Sequence, residues 1–186
     1  MRKGNERGPA NPARSLLRGA GAVLLVAALL SAARPGACAQ SVRGQSLIGR
    51  RAPEFVRPDL NGQTLDLKRF RGKVVLLNFW ATWCAPCQAE MPIFSEWQSK
   101  YGPKGFEAIG ISMDDDAPPA RKLVSRMNLA YPVAMGDARL GRRYGGVLGL
   151  PLSFAIDRNG VVRARFQGET DLNVMEKEIR TLLESR

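Results

Sequence analysis

Cys84 and Cys87, set in the run Cys-Ala-Pro-Cys, are the residues whose type and spacing speak most directly of chemistry. They follow Val74-Val75-Leu76-Leu77-Asn78-Phe79-Trp80, an apolar, β-branched run of the length of a buried strand. The chain then turns at Ala81 to Trp83 and enters a helix near Cys84. A helix start carries free backbone N–H groups and the positive end of the macrodipole. Cys84 is predicted at that start, with Cys87 one turn further in on the same face. Two thiols so placed can close a short disulfide, and the helix end favours the thiolate of the first.

A bare Cys-x-x-Cys also reads as half of a zinc site. Structural zinc usually needs four Cys or His ligands. The chain has three cysteines and no histidine, and the third, Cys38, lies in a segment that reads as a secretory signal. The missing histidine also excludes Cys-His hydrolase chemistry, and Gln88 stands where a haem-attachment motif carries histidine. No metal site is expected.

Asn78-Phe79-Trp80-Ala81-Thr82-Trp83-Cys84-Ala85-Pro86-Cys87, followed by Glu90-Met91-Pro92, resembles the exported TlpA/ResA-like branch of the thioredoxin superfamily, an AhpC/TSA-type domain. The similarity runs from about Ile48 to the C-terminus. It implies a thioredoxin-like α/β fold: a central mixed sheet with helices on both faces, an N-terminal β-hairpin and an extra βα insertion.

The elements around the motif read consistently with that. Phe55 to Leu60 and Thr64 to Leu67 flank Asn61-Gly62, a strong hairpin signal. In families that open this way the hairpin covers one edge of the sheet. Ala85 to Tyr101 reads as a helix, with Met91, Phe94, Trp97, Gln98 and Tyr101 at helical spacing as its core stripe. Pro92 inside it is expected to kink it. Phe106 to Ser112 is the next strand. Asp114-Asp115-Asp116 follow; they lack calcium-loop spacing and read as acids ahead of a helix dipole. A helix after Pro118-Pro119, to about Asn128, and a strand over Val133 to Met135 form the extra unit. A short helix spans Asp137 to Tyr144, and strands over Leu152 to Asp157 and Val161 to Phe166 flank Arg158-Asn159-Gly160. Asp171 is a plausible N-cap for a last helix, Leu172 to Glu184. Strands alternating with helices argue for a mixed sheet covered on both faces.

Residues 1–39 read as a signal peptide: a basic start, an apolar run of 14 residues from Ala20 to Ala33, and Ala37-Cys38-Ala39 at the cleavage site. A spanning helix needs about 20 residues. Cleavage after Ala39 leaves Gln40 to Arg186, 147 residues, with a flexible lead over 40–51 and one domain over 52–186. An uncleaved anchor and a lipoprotein acylated at Cys38 are the competing readings, the second weakened by Pro35 where such signals carry Leu. All three place the domain in the periplasm or cell envelope, where disulfides persist. Six of the 28 basic and one of the 17 acidic residues lie in 1–39, leaving 22 against 16, a net +6. That balance reads as a solvated surface, and no nucleic-acid partner is expected.

The resemblance implies roles. Cys84 attacks a substrate disulfide and Cys87 resolves the mixed disulfide; the Cys84–Cys87 disulfide is the only redox group expected, with no cofactor. Trp83 and Pro86 flank the site as substrate-binding residues, and Trp83 also reads as a partly buried packing residue. Gly149-Leu150-Pro151-Leu152 resembles the superfamily's cis-proline loop, in which the backbone of Leu150, ahead of Pro151, pairs with an extended substrate. Leu152 replaces the usual threonine. Asn78 stands where thioredoxin proper has a proton-relaying aspartate. With no histidine either, Glu90 becomes the acid–base residue, one turn beyond Cys87 and behind the apolar surface of Trp83; alternatively it is a first-turn acid complementing the dipole.

The implied function is that of an exported protein disulfide reductase, serving cytochrome c or respiratory-complex maturation. Expected partners are disulfide-bearing envelope proteins, apocytochrome c among them, and a membrane thiol-transport protein as electron donor; the protein is expected to be a monomer. A peroxiredoxin-like thiol peroxidase is one rival, but its Pro-x-x-x-Thr-x-x-Cys signature is absent, since Thr82 lies two residues before Cys84. A Cu(I)-binding chaperone is another, and the Sco-like Cys-x-x-x-Cys plus His is absent too.

Overall fold

A computed structural model describes residues 47–185. Their order is β1 (Val56–Pro58), β2 (Thr64–Asp66), β3 (Val74–Trp80), α1 (Ala85–Tyr101), β4 (Phe106–Ser112), α2 (Ala117–Met127), β5 (Val133–Met135), α3 (Ala138–Arg143), β6 (Leu152–Ile156), β7 (Val162–Gln167) and α4 (Leu172–Glu184). The signal peptide, the cleavage point at Ala39 and the first part of the lead lie outside the described residues.

β3 is the middle of a five-stranded sheet ordered β5-β4-β3-β6-β7. Every residue of β3 is buried, as a strand covered on both faces must be. The helical crossovers through α1 and α2 bring β4 and β5 back parallel. β6 and β7 run antiparallel through a short turn, in which Asp157 Oδ1 accepts from the backbone N–H of Asn159 and of Val161, both at 2.9 Å. The sheet is therefore mixed.

Strand alternation sorts the core into two layers. Leu76 and Trp80 of β3 face a cluster with Met91, Phe94 and Trp97 of α1, Leu123 of α2 and Ile179 of α4. Val75, Leu77 and Phe79 face the other side, with Leu140 of α3, Tyr144 and the N-terminal residues Phe55 and Leu65. The mixed sheet, the helices on both faces, the hairpin and the α2–β5 unit are the arrangement that the resemblance implied. The hairpin docks on the β5 edge, where Leu60 N–H donates to Val133 O at 2.7 Å and Asp59 bridges Ala134.

Three details differ from expectation. α2 starts at Ala117, so both prolines sit inside its first turn, where their missing N–H groups cost no helical bond. β1 and β2 are only three residues each, because the turn between them is folded around Asp59, whose Oδ1 accepts from Asn61 N–H and Gln63 N–H. The described end of the lead, 47–51, is tied to the sheet rather than loose: Gly49 N–H donates to Val162 O at 2.8 Å, Val162 N–H to Arg50 O at 2.9 Å, and Arg51 bridges Val161.

Candidate active site

The helix that carries the motif begins at Cys84. Cys84 is the N-cap of α1, with extended backbone, and its Sγ accepts from Cys87 N–H at 3.3 Å. Pro86 lies in the first turn, where a fixed φ suits the helix. Cys84 and Cys87 are joined in a disulfide, and both are buried. Once the bond is opened, the N–H groups of this turn face the Cys84 sulfur and favour its thiolate.

The turn ahead of Cys84 is held from outside the motif. Because β3 and β4 pair in parallel with Trp80 opposite Ser112, the end of β4 delivers Asp114 to Thr82. Asp114 Oδ1 accepts from Thr82 N–H at 3.0 Å and from Thr82 Oγ1 at 2.6 Å, while Oδ2 accepts from Ser112 Oγ at 2.7 Å. Gln88 Nε2 donates to Thr82 O at 2.7 Å, closing the turn from the helix side. Sequence reasoning missed this clamp and treated Asp114 as one of three dipole acids. The signal available was a carboxylate two residues past a strand parallel to the motif strand.

Glu90 follows Cys87 by one turn and is almost fully buried, 6% exposed. Burial first, and the charge of Glu169 second, push its carboxyl up to about 7. It is thus an acid poised between its two forms near neutrality, which an exposed dipole acid would not be. Trp83 is 73% exposed. The alternative reading of Trp83 as a partly buried packing residue does not hold. Trp83 lies in the turn ahead of α1 and belongs to neither core layer.

The Leu150–Pro151 peptide is cis. Pro151 is buried and its carbonyl accepts from Gly168 N–H at 2.9 Å. Leu150 is half-buried and packs against the cluster that contains Cys84 and Cys87. Two residues before it, Leu148 is 92% exposed, an apolar side chain that sequence reasoning did not single out. Asn78, opposite Ser153 in the β3–β6 register, donates through Nδ2 to Ser153 Oγ at 2.9 Å, which satisfies part of a buried amide at the centre of the sheet.

Residues 47–183 match the Redoxin family. The chain belongs to that family. Over 135 residues it is 39% identical to the thiol-disulfide oxidoreductase ResA of Bacillus thuringiensis subsp. konkukian, covering 73% of this chain and 78% of the relative. It is 35% identical to the ResA of Geobacillus thermodenitrificans over 138 residues, 74% of this chain and 77% of that one. Among solved structures, a thiol:disulfide interchange protein of the thioredoxin family from Chlorobium tepidum superposes with a TM-score of 0.67 at 29% identity, covering 72% of this chain and 95% of that one. The chain is a TlpA/ResA-like member of the thioredoxin superfamily, and with its Cys84–Cys87 pair it is a thiol-disulfide oxidoreductase. In this TlpA/ResA-like enzyme the dithiol sits where strand β3 ends, at the helix end best suited to a thiolate.

Proposed function

We propose that this oxidoreductase works outside the cytoplasmic membrane as a reductant of protein disulfides. The observation that carries the reading is a buried carboxyl, poised near neutrality, one helical turn beyond a disulfide whose first sulfur caps the helix. In the reduced protein the Cys84 thiolate attacks one sulfur of a substrate disulfide, and the other sulfur leaves as a thiolate. Cys87 gives its proton to Glu90 and attacks Cys84 Sγ. The second substrate sulfur leaves, the Cys84–Cys87 bond forms, and Glu90 passes its proton on to a departing thiolate. Two electrons have moved to the substrate, which gains two protons in all, one of them from solvent.

Trp83, Pro86, Leu150 and Pro151 form the substrate-binding surface in this reading. Trp83 and Leu148, both exposed and apolar, suit an unfolded polypeptide better than a small oxidant. Apocytochrome c or another respiratory-complex component fits that description. A reductant in an oxidising compartment must be recharged from inside, which calls for a membrane thiol-transport protein as donor. Export rests on the N-terminal segment, and mass spectrometry of the envelope fraction tests it: a chain starting at Gln40 is expected, an intact N-terminus means an anchor and a lipidated Cys38 a lipoprotein.

The deciding experiment is equilibration of the purified protein with glutathione buffers. A potential well below that of the glutathione pool is expected for a reductant. A potential above it would make the protein an oxidase and overturn the direction.

A further inference from the structure

Four buried side-chain polar atoms have no hydrogen-bond partner among the described residues: Asn78 Oδ1, Trp80 Nε1, Glu90 Oε2 and Tyr131 OH. Native interiors leave few such atoms, and each calls for an explanation. These four are gathered in one place. Asn78 and Trp80 lie on the face of β3 that packs under α1, and Asn78 stands opposite Gly110 in the β3–β4 register. A Cβ at Gly110 would come within 3.1 Å of Trp80 Nε1 and 3.4 Å of the Tyr131 ring. Tyr131 is brought there by the pairing of Gly110 with Val133 on β5. Glu90 enters from α1 above, close enough that its charge helps push the Tyr131 phenol above its usual range, after burial.

The chemistry of the set is matched. The indole N–H of Trp80 only donates, Tyr131 donates, and Asn78 Oδ1 and the Glu90 carboxylate accept. With Nδ2 donating to Ser153 Oγ at 2.9 Å, Asn78 presents its Oδ1 to this space. Two donors and two acceptors around a glycine are what one buried water satisfies. We propose that Asn78, Trp80, Glu90 and Tyr131 hold one internal water above Gly110, and that Tyr131 positions the Glu90 carboxyl through it. Trp80 and Tyr131 donate to the water, and the water donates to Glu90 Oε2 and Asn78 Oδ1. A side chain at Gly110 would crowd this space, since its Cβ would also meet Val133 Cγ2 at 3.0 Å.

Tyr131 is thus a positioning residue, and that half of the inference rests on the reading of Glu90 as the proton-exchange group. Donation through the water stabilises the Glu90 carboxylate and opposes the burial and the Glu169 charge that hold it protonated. The other groups facing it are Tyr131, neutral throughout, and the cysteine pair, which does not titrate while closed.

The test uses the full-length oxidised protein with carbon-13-labelled glutamate carboxyls, read by NMR against pH. Tyr131→Phe keeps the ring and removes the hydroxyl. It should raise the Glu90 midpoint by about half a pH unit to one unit, the scale of one lost neutral hydrogen bond felt through the water. An unchanged midpoint overturns the positioning role. Independently of any variant, the Trp80 indole N–H of the wild type should show magnetisation transfer to a long-lived water. Its absence overturns the hydration site. Neither measurement reads disulfide exchange, so a protein that held the water yet reduced no disulfide would sink the proposed function and leave the water standing.

Discussion

Asp114 grips Thr82 twice, through the backbone N–H at 3.0 Å and the hydroxyl at 2.6 Å, and so fastens the turn that presents Cys84 to the end of a neighbouring strand. The motif is therefore positioned by β4 as much as by its own helix. Ser112, which donates to the same carboxylate, completes the clamp.

Removing the clamp should be felt in both stability and reactivity. Asp114→Ala leaves the Thr82 N–H, the Thr82 hydroxyl and the Ser112 hydroxyl without their acceptor. Hydrogen bonds to charged groups contribute about 1.5–3 kcal/mol each, and part of the loss is recovered by water at this half-buried place, so a destabilisation of about 3 kcal/mol is expected in urea unfolding. Asp114→Asn should lose less than half of that. Alkylation of reduced Cys84 should become slower in Asp114→Ala, since the turn no longer holds the sulfur against the helix N–H groups. Wild-type unfolding and alkylation in this variant would show that the clamp is decorative.

The two cysteines should separate cleanly by role. In Cys87→Ser, Cys84 can still attack but nothing resolves the mixed disulfide. Envelope extracts on non-reducing gels should then show adducts that dithiothreitol removes. Cys84→Ser should give none. Adducts from Cys84→Ser instead would reverse the assignment.

Much of this was legible because the central elements announce themselves locally. The seven-residue apolar run of β3, the Cys-x-x-Cys at a helix start and the apolar stripe of α1 each need only neighbours in sequence to be recognised. The bounds of α1, β4, β5 and α4 came out as read, and Asp171 caps α4 by accepting from Asn173 N–H at 2.9 Å. What escaped depends on register. Asp114 reaches Thr82 only because Trp80 pairs with Ser112, and Tyr131 reaches the space under Glu90 only because Val133 pairs with Gly110. No periodicity encodes which residues of parallel strands stand side by side. For Trp83 the local pattern admits both a substrate-facing and a packing role, and only its exposure in the folded chain excludes the second.

Glu90 should both tune and serve the dithiol. Its negative charge beside the sulfurs disfavours a second negative charge, so in the reduced protein it raises the apparent thiol pKa. The same carboxylate accepts the Cys87 proton during resolution. Glu90→Gln should therefore lower the pH at which Cys84 alkylates, while slowing decay of a preformed mixed disulfide by about 10²-fold, the lower end of what a positioned base contributes. The three groups interact, so the alkylation curve reports the set rather than Cys84 alone. An unchanged curve together with an unchanged decay rate would reduce Glu90 to an ordinary helix-dipole acid.

The buried carboxyl also makes stability depend on pH, with a defined sign. The folded protein holds the Glu90 proton up to about 7, against an ordinary 4.5 for a free side chain, with burial the larger cause and Glu169 the smaller. Below about 4.5 both states are protonated and the group costs nothing. Between about 4.5 and 7 the unfolded chain has released the proton and the folded chain has not, so stability falls as pH rises. Above about 7 both are ionised and the full cost is reached. A shift of this size corresponds to about 3 kcal/mol at 1.36 kcal/mol per pH unit. Urea unfolding of the oxidised protein and of Glu90→Gln, compared from pH 4 to pH 8, isolates the effect, because other titrating groups cancel in the difference. The variant should gain on the wild type by about 3 kcal/mol across that range, nearly all of it between about pH 4.5 and 7. Glu169→Gln removes the lesser cause and should move the upper end of the window down while leaving most of its height. A difference that stays flat with pH would mean that the Glu90 carboxylate is as well solvated in the folded protein as in the unfolded chain, and the case for it as a proton-exchange group would fall with it.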